Sequence, residues 1–399
     1  MAEARKHGFH YGHSEWANLG QGAPETGEIP GSPARLTQIP LADDTYEYGP
    51  VVGINELRSA VADLYNQRYR RGMSSRYSME NVAISSGGRA GLTRVAAALG
   101  NIHLGHFLPD YTAYEELLEL FKAFVPMPIL LESGKGFGFD VKRLFREVMG
   151  QGLGAVLMSN PCNPTGQVMF GEDLAEWIDI GRTLQCAQIF DEFYSHYLYD
   201  EAAKASTSLS ACAYVEDVER DGVVILDGLT KNWRYPGLRL SWTVGPKEII
   251  RRIGSAGSFL DGGPPHPVQR AVLPLLDSAV ADAEARAIQR HFSVKRARVL
   301  ERLTELGFSI KGIPQGAFYF FVGLEGLPEP LRDGMAFFQA ALERQVICVP
   351  GEFFDVNPGK RRSHIPSRLR GFVRISFGPA IRDLEMGLDR LGQMMADYR

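Results

Sequence analysis

The chain has 399 residues, of which 45% are hydrophobic and 23% charged, and this composition excludes disordered, collagen-like and coiled-coil proteins. The formal charge of −4 gives no sign of a nucleic-acid-binding surface, and no apolar run is long enough to cross a membrane. Four widely spaced cysteines without CxxC pairs favour a reducing compartment, so we expect a cytoplasmic location. The length indicates two or three domains.

The first part of the chain predicts an arm followed by alternating strands and helices. Residues 1–44 are rich in Gly and Pro and predict an extended arm, and a helix is predicted from about Ile54. Short apolar runs then alternate with helical patterns, which indicates a mostly parallel sheet with helices on both faces. The runs that predict buried strands are 81–85, 155–159, 187–190 and 223–226.

The C-terminal part has a different pattern. A long charged helix is predicted over 280–306, where it leads into a second region. That region contains strand patterns at 317–322, 346–349 and 371–376 and a closing helix from about Asp383. This order indicates a smaller α+β domain.

Polar residues follow the first two strands at the sheet edge where α/β proteins bind ligands. Gly87-Gly88-Arg89 opens a helical pattern, and free backbone N–H groups there could hold a phosphate, although on this motif alone a tight turn is the simpler interpretation. The rigid loop NPCNPTG (160–166) follows the next strand. In it, Asn163 either donates its amide into the cleft or forms an Asx turn.

The next two strands are followed by charged residues. Asp191 could pair with a cationic ring nitrogen and Tyr194 could reach the same ligand, or they could be a helix N-cap and a core tyrosine. Lys231 has apolar neighbours that can lower its pKa, and Arg239, eight residues later, suits a phosphate; taken alone, two solvated cations would be the usual interpretation. Together these residues match the functional groups of pyridoxal phosphate.

The motifs resemble those of the class I/II aminotransferases, aspartate-aminotransferase-like enzymes of the pyridoxal-phosphate fold-type I superfamily. NPCNPTG is similar to the family's NPxNPTG, DEFY to its DExY, and TKNWRYPGLR to its SKxxxxxGxR. The segments 48–58 (YGPVVGINELR) and 372–377 (FVRISF) resemble two further motifs, so the similarity covers the chain from Asn18 onward.

The resemblance implies an α/β fold in two domains. A large domain, 46–285, would carry a mostly parallel seven-stranded-type sheet sandwiched by helices and would bind the cofactor. A smaller α+β C-terminal domain would span 286–399, and an N-terminal arm, 1–45, would pack with the small domain and the cleft.

The resemblance also implies a role for each site residue. Lys231 would hold pyridoxal 5'-phosphate as a Schiff base and move the proton at the substrate α-carbon, while Asp191 would keep the ring nitrogen protonated. The other cofactor contacts would come from Gly87, Gly88, Arg89, Tyr111, Asn163, Tyr194, Arg239 and Tyr48. The substrate carboxylate would be bound by Gly22, Asn163 and Arg374, and no metal is implied. Tyr48 would serve the neighbouring subunit, which implies a homodimer whose active sites are shared across the interface.

Two positions depart from the family pattern, and two segments are open to two interpretations each. Arg89 adds a cation near the cleft, and Gly228 stands where many members carry a phosphate-binding serine. The loop Asn357–Arg370, with six basic side chains counting His364, either binds an anionic substrate tail or forms a solvated face. The arm segment His7–Trp16 either packs onto the body or contributes to specificity, and its candidates are His10, Tyr11, His13 and Trp16.

The implied function is a pyridoxal-phosphate-dependent aminotransferase that acts on an α-amino acid and a keto acid through a quinonoid or carbanion. The alternative is β- or γ-elimination or replacement on a bulky or sulfonium amino acid, as in enzymes that resemble aminocyclopropane-carboxylate synthase; a role in secondary metabolism would fit that chemistry. A sensor role in a transcription regulator would need a DNA-binding domain, for which a pattern beginning by Asn18 leaves no room. We therefore expect neither nucleic-acid nor membrane partners.

Overall fold

A computed structural model describes residues 1–120, 124–199 and 207–398. The strands are β1 (Ala17–Asn18), β2 (Val82–Ser85), β3 (Ile102–Leu108), β4 (Phe124–Leu130), β5 (Ala155–Ser159), β6 (Ala187–Asp191), β7 (Val223–Gly228), β8 (Ser241–Val244), β9 (Tyr319–Gly323), β10 (Val346–Ile347), β11 (Val349–Pro350) and β12 (Phe372–Ser376). The helices are α1 (Ala2–Lys6), α2 (Asn55–Tyr69), α3 (Gly88–Ala98), α4 (Tyr114–Leu120), α5 (Val141–Gln151), α6 (Gly171–Leu184), α7 (Lys247–Leu260), α8 (His266–Ala271), α9 (Ser278–Glu305), α10 (Gly334–Glu343) and α11 (Ile381–Ala396).

The central sheet has seven strands in the order β2-β8-β7-β6-β5-β3-β4. The pairs β7–β6, β6–β5, β5–β3 and β3–β4 are parallel, whereas β8 is antiparallel to both of its neighbours. Every residue of β5 and β7 is buried, as expected for strands covered by helices on both faces. The carboxyl ends of β5, β6 and β7 therefore lie at one edge, and the predicted fold class is confirmed.

A second sheet is antiparallel, in the order β11-β12-β9. Its apolar residues Phe320 and Val322 belong to the same core cluster as Ile189 and Leu226 of the central sheet. The arm joins this region because β1 pairs in parallel with β10. The position of β12 between two neighbours fixes the backbone of Arg374.

The structure corrects two predictions at the level of elements. The predicted strand 346–349 is two strands, because β10 pairs with β1 and β11 pairs with β12, so that the chain passes from one sheet to the other at Cys348. The arm is also not wholly extended, since it contains α1 and β1. The other predicted strands and helices lie within a few residues of the observed ones. Across the three described ranges, the helices are all too short or too polar to cross a bilayer.

Candidate active site

A cavity of ≈ 500 Å³ lies at the carboxyl ends of the central strands. The sequence-predicted residues that line it are Gly22, Gly88, Arg89, Tyr111, Asn163, Asp191, Tyr194, Lys231, Arg239 and Arg374. The structure thus brings together residues from the arm, from the carboxyl ends of five strands of the central sheet and from β12.

Lys231 lies on the loop that joins β7 to β8. The Leu229 N–H donates to the Leu240 carbonyl at 3.0 Å and closes the base of this loop. The Lys231 amine donates to the carbonyl of Gly22 in the arm. Burial and the nearby positive charge of Arg374 lower its pKa to about 8, although Asp191 acts in the opposite direction. A substantial fraction of the amine is therefore neutral in mildly alkaline solution.

Asp191 ends β6, and its side chain is buried. Burial raises the pKa of the carboxyl group to about 6, and a hydrogen bond from the Tyr114 hydroxyl, at 2.8 Å, limits this rise. Tyr114 also meets the Tyr111 ring edge to face, with 5.5 Å between ring centroids. One buried tyrosine therefore supports both the carboxylate and the aromatic ring beside it.

The turn between β2 and α3 brings backbone and guanidinium donors together. Gly87 has φ = +94° and precedes the first residue of α3 without a side-chain cap, so the first N–H groups of this helix are available to a ligand. A Cβ atom on Gly87 would collide with the guanidinium of Arg239, and one on Gly88 would lie 2.6 Å from the Phe193 ring. Glycine at both positions lets the backbone and Arg239 face the same point.

Arg374 is buried and held by two hydrogen bonds. Its Nη1 donates to Asn163 Oδ1 and its Nη2 to the Gly20 carbonyl, each at 2.8 Å. The guanidinium carbon lies 4.2 Å from the Tyr319 ring centroid. Its Nε has no hydrogen-bond partner among the described residues. The guanidinium is therefore oriented by the protein while part of its donor capacity remains for an anion.

Two residues that line the cavity, Tyr319 and Thr230, were missed or left unassigned by sequence reasoning. Tyr319 donates to or accepts from the Tyr194 hydroxyl at 2.8 Å, and its position in a wholly apolar strand pattern gave no signal of this. Thr230 has a buried Oγ1 without a partner in the described chain, and its place directly before Lys231 was the available signal. At Gly228, a Cβ would lie 2.6 Å from the Ser241 Cα on β8, so close strand contact explains why glycine stands there.

Tyr48 and the candidate specificity residues of the arm do not line the cofactor cavity. Tyr48 is 98% exposed and outside the cavity, as seen in a single chain. Trp16 is buried in the core, where it packs edge to face on Phe9, whereas Tyr11 is exposed. His10 and His13 lie against each other, with ring centroids 4.7 Å apart.

Three of the six basic side chains of the loop form ion pairs with acidic neighbours. Its ion pairs are Lys360–Glu115, Arg362–Asp355 and Arg370–Asp333. The Arg362 pair spans 2.8 Å, and the Lys360 pair joins the loop to α4. These bonds favour the solvated, structural interpretation of the loop over binding of an anionic tail.

A buried carboxylate, a lysine with a lowered pKa and a helix N-terminus beside an arginine define a pyridoxal-phosphate-dependent enzyme. The profile of the family described as aminotransferase class I and II matches residues 14–391, and the chain belongs to this family. It is therefore a transferase, and its cofactor is pyridoxal 5'-phosphate.

Individual relatives and structures agree with this assignment. A probable N-succinyldiaminopimelate aminotransferase from Mycobacterium tuberculosis is 28% identical over 298 residues, which cover 73% of this chain and 71% of the relative. An aspartate aminotransferase from Pyrococcus abyssi is 25% identical over 365 residues, 88% of this chain and 85% of the relative. The solved N-succinyldiaminopimelate aminotransferase from Mycobacterium tuberculosis has the same fold, with a TM-score of 0.80 at 24% identity over 98% of this chain and 95% of that one.

The residues at the cavity fit the cofactor. The glycine turn and Arg239 form a cradle that a Cβ atom would fill, and the unpartnered Thr230 hydroxyl lies in the same cavity. The buried carboxylate of Asp191 is a suitable partner for a protonated ring nitrogen, because its described hydrogen-bond donors, the Tyr114 hydroxyl and the Phe193 backbone N–H, are both neutral.

Proposed function

We propose that this enzyme transfers the amino group of an α-amino acid to a 2-oxo acid, with Lys231, Asp191 and Arg374 as its principal site residues. The observation that carries the proposal is that all three side chains face one cavity. Removing a proton from a carbon beside a carboxylate requires a base, an electron acceptor and a fixed carboxylate. Lys231 supplies the base, Asp191 supports the electron acceptor, and Arg374 anchors the carboxylate.

Arg374 binds the α-carboxylate of the substrate. The support for this role is its fixed guanidinium, which Asn163 and the Gly20 carbonyl orient while Nε keeps an unused donor. Gly22 lies in the same cavity, with its carbonyl bonded to the Lys231 amine. The arm thereby completes the carboxylate end of the site.

Bound pyridoxal phosphate supplies a reactive aldehyde carbon and an electron-withdrawing ring. Asp191 would hold a proton at the ring nitrogen, Tyr194 and Asn163 would donate hydrogen bonds to the ring oxygen, and Tyr111 would lie beside the ring. The donors of Gly87, Gly88, Arg89, Arg239 and Thr230 would bind the phosphate.

Lys231 binds the cofactor and then moves the proton at the substrate α-carbon. A pKa of about 8 suits both tasks, because the amine is neutral in a useful fraction of molecules near neutral pH and still basic enough to take a proton. The hydrogen bond to Gly22 and the closed base of its loop limit the positions that the amine can reach.

The proposal is tested by a half-reaction. The holoenzyme is mixed with single amino acids without any 2-oxo acid, and its visible spectrum and products are followed. Conversion of the cofactor to pyridoxamine phosphate with an equal amount of 2-oxo acid supports transamination. Release of a side-chain fragment while pyridoxal phosphate is retained would instead establish elimination or replacement. Lys231→Ala, which should show no lysine-dependent absorption band, is the control.

The active enzyme is proposed to be a homodimer with shared sites. The support is a set of large apolar side chains that are exposed in the single chain, namely Leu41, Tyr46, Tyr48 and Phe259. The ion pair between Arg270 and Asp44 joins the segment before Tyr46 to α8. A second copy that covers Tyr48 would place this residue near the second copy's own cofactor site.

A further inference from the structure

A second cavity, of ≈ 990 Å³, adjoins the cofactor cavity. The two share Arg89, Leu92, Thr112 and Val349 as lining residues, so the cavities meet at these four residues. A substrate held by Arg374 lies in the cofactor cavity, next to this larger space. We call this second space the side-chain cavity.

The residues that line the side-chain cavity are mainly apolar. They include residues of α4, beside the central sheet, and of α10, beside the second sheet. The apolar lining residues include Leu117 of α4, Met335 and Phe338 of α10, and Ile347 and Phe353. Met1, Ala2 and Glu3 of the arm also line the cavity. Apolar walls of this kind stabilise aliphatic and aromatic groups through the area that they remove from water.

The charges where the two cavities meet do not favour a second carboxylate. Arg89 is hydrogen-bonded to Tyr111, and Tyr111 and Glu116 raise the pKa of its guanidinium. Among the described lining residues, the charged side chains are Arg89, Glu116 and Glu3, and Glu3 is paired with Lys6. Arg89, which is assigned to the cofactor phosphate, is the one cationic side chain in this described lining, and Glu116 would repel a substrate side chain that ends in a carboxylate.

We propose that the side-chain cavity binds the long or bulky apolar side chain of the amino donor, an aromatic or extended aliphatic α-amino acid. This inference rests on the proposed transamination, since Arg374 must hold the α-carboxylate while the side chain passes between Arg89 and Val349. It predicts that short dicarboxylic amino acids are the poorer donors.

The first experiment compares donors that differ only in length. Half-reaction rates are measured with L-alanine, 2-aminobutyrate, norvaline, norleucine and 2-aminooctanoate, and with phenylalanine, aspartate and glutamate. We expect kcat/KM to rise by about fourfold for each added methylene that reaches the cavity. A flat series, or aspartate and glutamate as the best donors, would overturn the inference.

The second experiment measures binding without turnover. Straight-chain carboxylates from butanoate to octanoate, and succinate, are titrated into the holoenzyme by calorimetry. Affinity is expected to increase with chain length by about fourfold per methylene, and succinate is expected to bind more weakly than octanoate. If no amino acid transfers its amine but this length dependence is found, transamination fails and the side-chain cavity stands. If transfer occurs without length dependence in either series, the cavity assignment alone fails.

A pair of variants on α10 tests the location. Met335 lines the cavity, whereas the adjacent Ala336 is exposed and does not. Met335→Trp should lower the ratio of kcat/KM for 2-aminooctanoate over L-alanine by about tenfold, because the indole occupies the space. Ala336→Trp, with the same added ring at the next position, should leave this ratio unchanged. An equal ratio in both variants and the wild type would contradict the proposal.

Discussion

The carboxyl group of Asp191 is buried at the end of β6, with the neutral Tyr114 hydroxyl as a hydrogen-bond donor at 2.8 Å. Burial raises its pKa to about 6, so the folded apoenzyme binds this proton more tightly than an unfolded chain does. The residue that is expected to hold the cofactor ring therefore destabilises the protein before the cofactor binds. Such a conflict between the stability of the free protein and the binding of a ligand is common in sites that bind a charged ligand.

Replacing Asp191 with Asn should make the apoenzyme more stable. Because the pKa of Asp191 is raised in the folded protein, the wild type loses part of its stability as the pH rises from about 4 to 6. This part of the stability stays lost at higher pH. The two-unit difference in pKa corresponds to roughly 3 kcal/mol in the free energy of unfolding at pH 7. Denaturant titrations at pH 4 and pH 7 would measure it. Asp63→Asn, at an exposed position of α2, is the control, and equal stability of Asp191→Asn and wild type at pH 7 would contradict the argument.

A second residue-scale prediction concerns the pH at which Lys231 attaches the cofactor. Only the neutral amine attacks an aldehyde, and its pKa is lowered to about 8 by burial and by Arg374. The rate of cofactor attachment to the apoenzyme should rise with pH and level off above about pH 8, which stopped-flow absorbance can follow. Arg374→Gln should raise the pH at which the attachment rate is half its maximum. A wild-type midpoint near pH 10 would show that the pKa of the Lys231 amine is not lowered.

At the scale of elements, the turn from β2 into α3 depends on the fit between Gly88 and Phe193. A Cβ atom at residue 88 would lie 2.6 Å from the Phe193 ring, so Gly88→Ala must displace either the ring or the helix start. We expect cofactor affinity to fall by about tenfold or more, since overpacking typically costs 1–3 kcal/mol. Phe193→Leu in the same chain should restore part of the affinity. Fluorescence titration of the apoenzyme with pyridoxal phosphate would measure both, and an unchanged affinity in Gly88→Ala would contradict the packing argument.

The elements that the sequence failed to predict have physical causes. In β3, His103 and His106 interrupt the apolar run, and in β4 two prolines, Pro126 and Pro128, disfavour a strand. The prolines are tolerated because β4 is the edge strand of the sheet and pairs only with β3. Strands such as β5 and β7 were predictable because they are short, apolar and buried along their whole length.

Site residues were predictable where they follow a strand of the central sheet. Asp191 and Lys231 could be found in this way, since parallel strands bring their carboxyl ends to one edge. Tyr319 could not, because it lies within an apolar strand of another sheet and reaches the cavity only through the packing of the two sheets. The side-chain cavity is likewise a product of tertiary packing and has no local sequence pattern.

For the whole molecule, the proposed dimer makes a prediction about hybrid enzymes. Chains carrying Lys231→Ala and chains carrying Tyr48→Ala are each expected to lose activity at limiting cofactor. After unfolding and joint refolding, a hybrid dimer would contain one site with both native residues, so an equal mixture should recover about a quarter of the wild-type activity. Activity that stays at the level of the separate variants, with dimers present by sedimentation, would contradict the shared site.

The cavity brings the side chains of Arg89, Lys231, Arg239 and Arg374 around a single described carboxylate, Asp191. Such an excess of positive charge in a concave, partly dry space focuses the electric field and attracts small dianions from a distance. The rate at which the apoenzyme captures pyridoxal phosphate should therefore fall as ionic strength rises. Phosphate and sulfate buffers should compete with the cofactor, so the choice of buffer anion becomes a variable in every reconstitution of this enzyme.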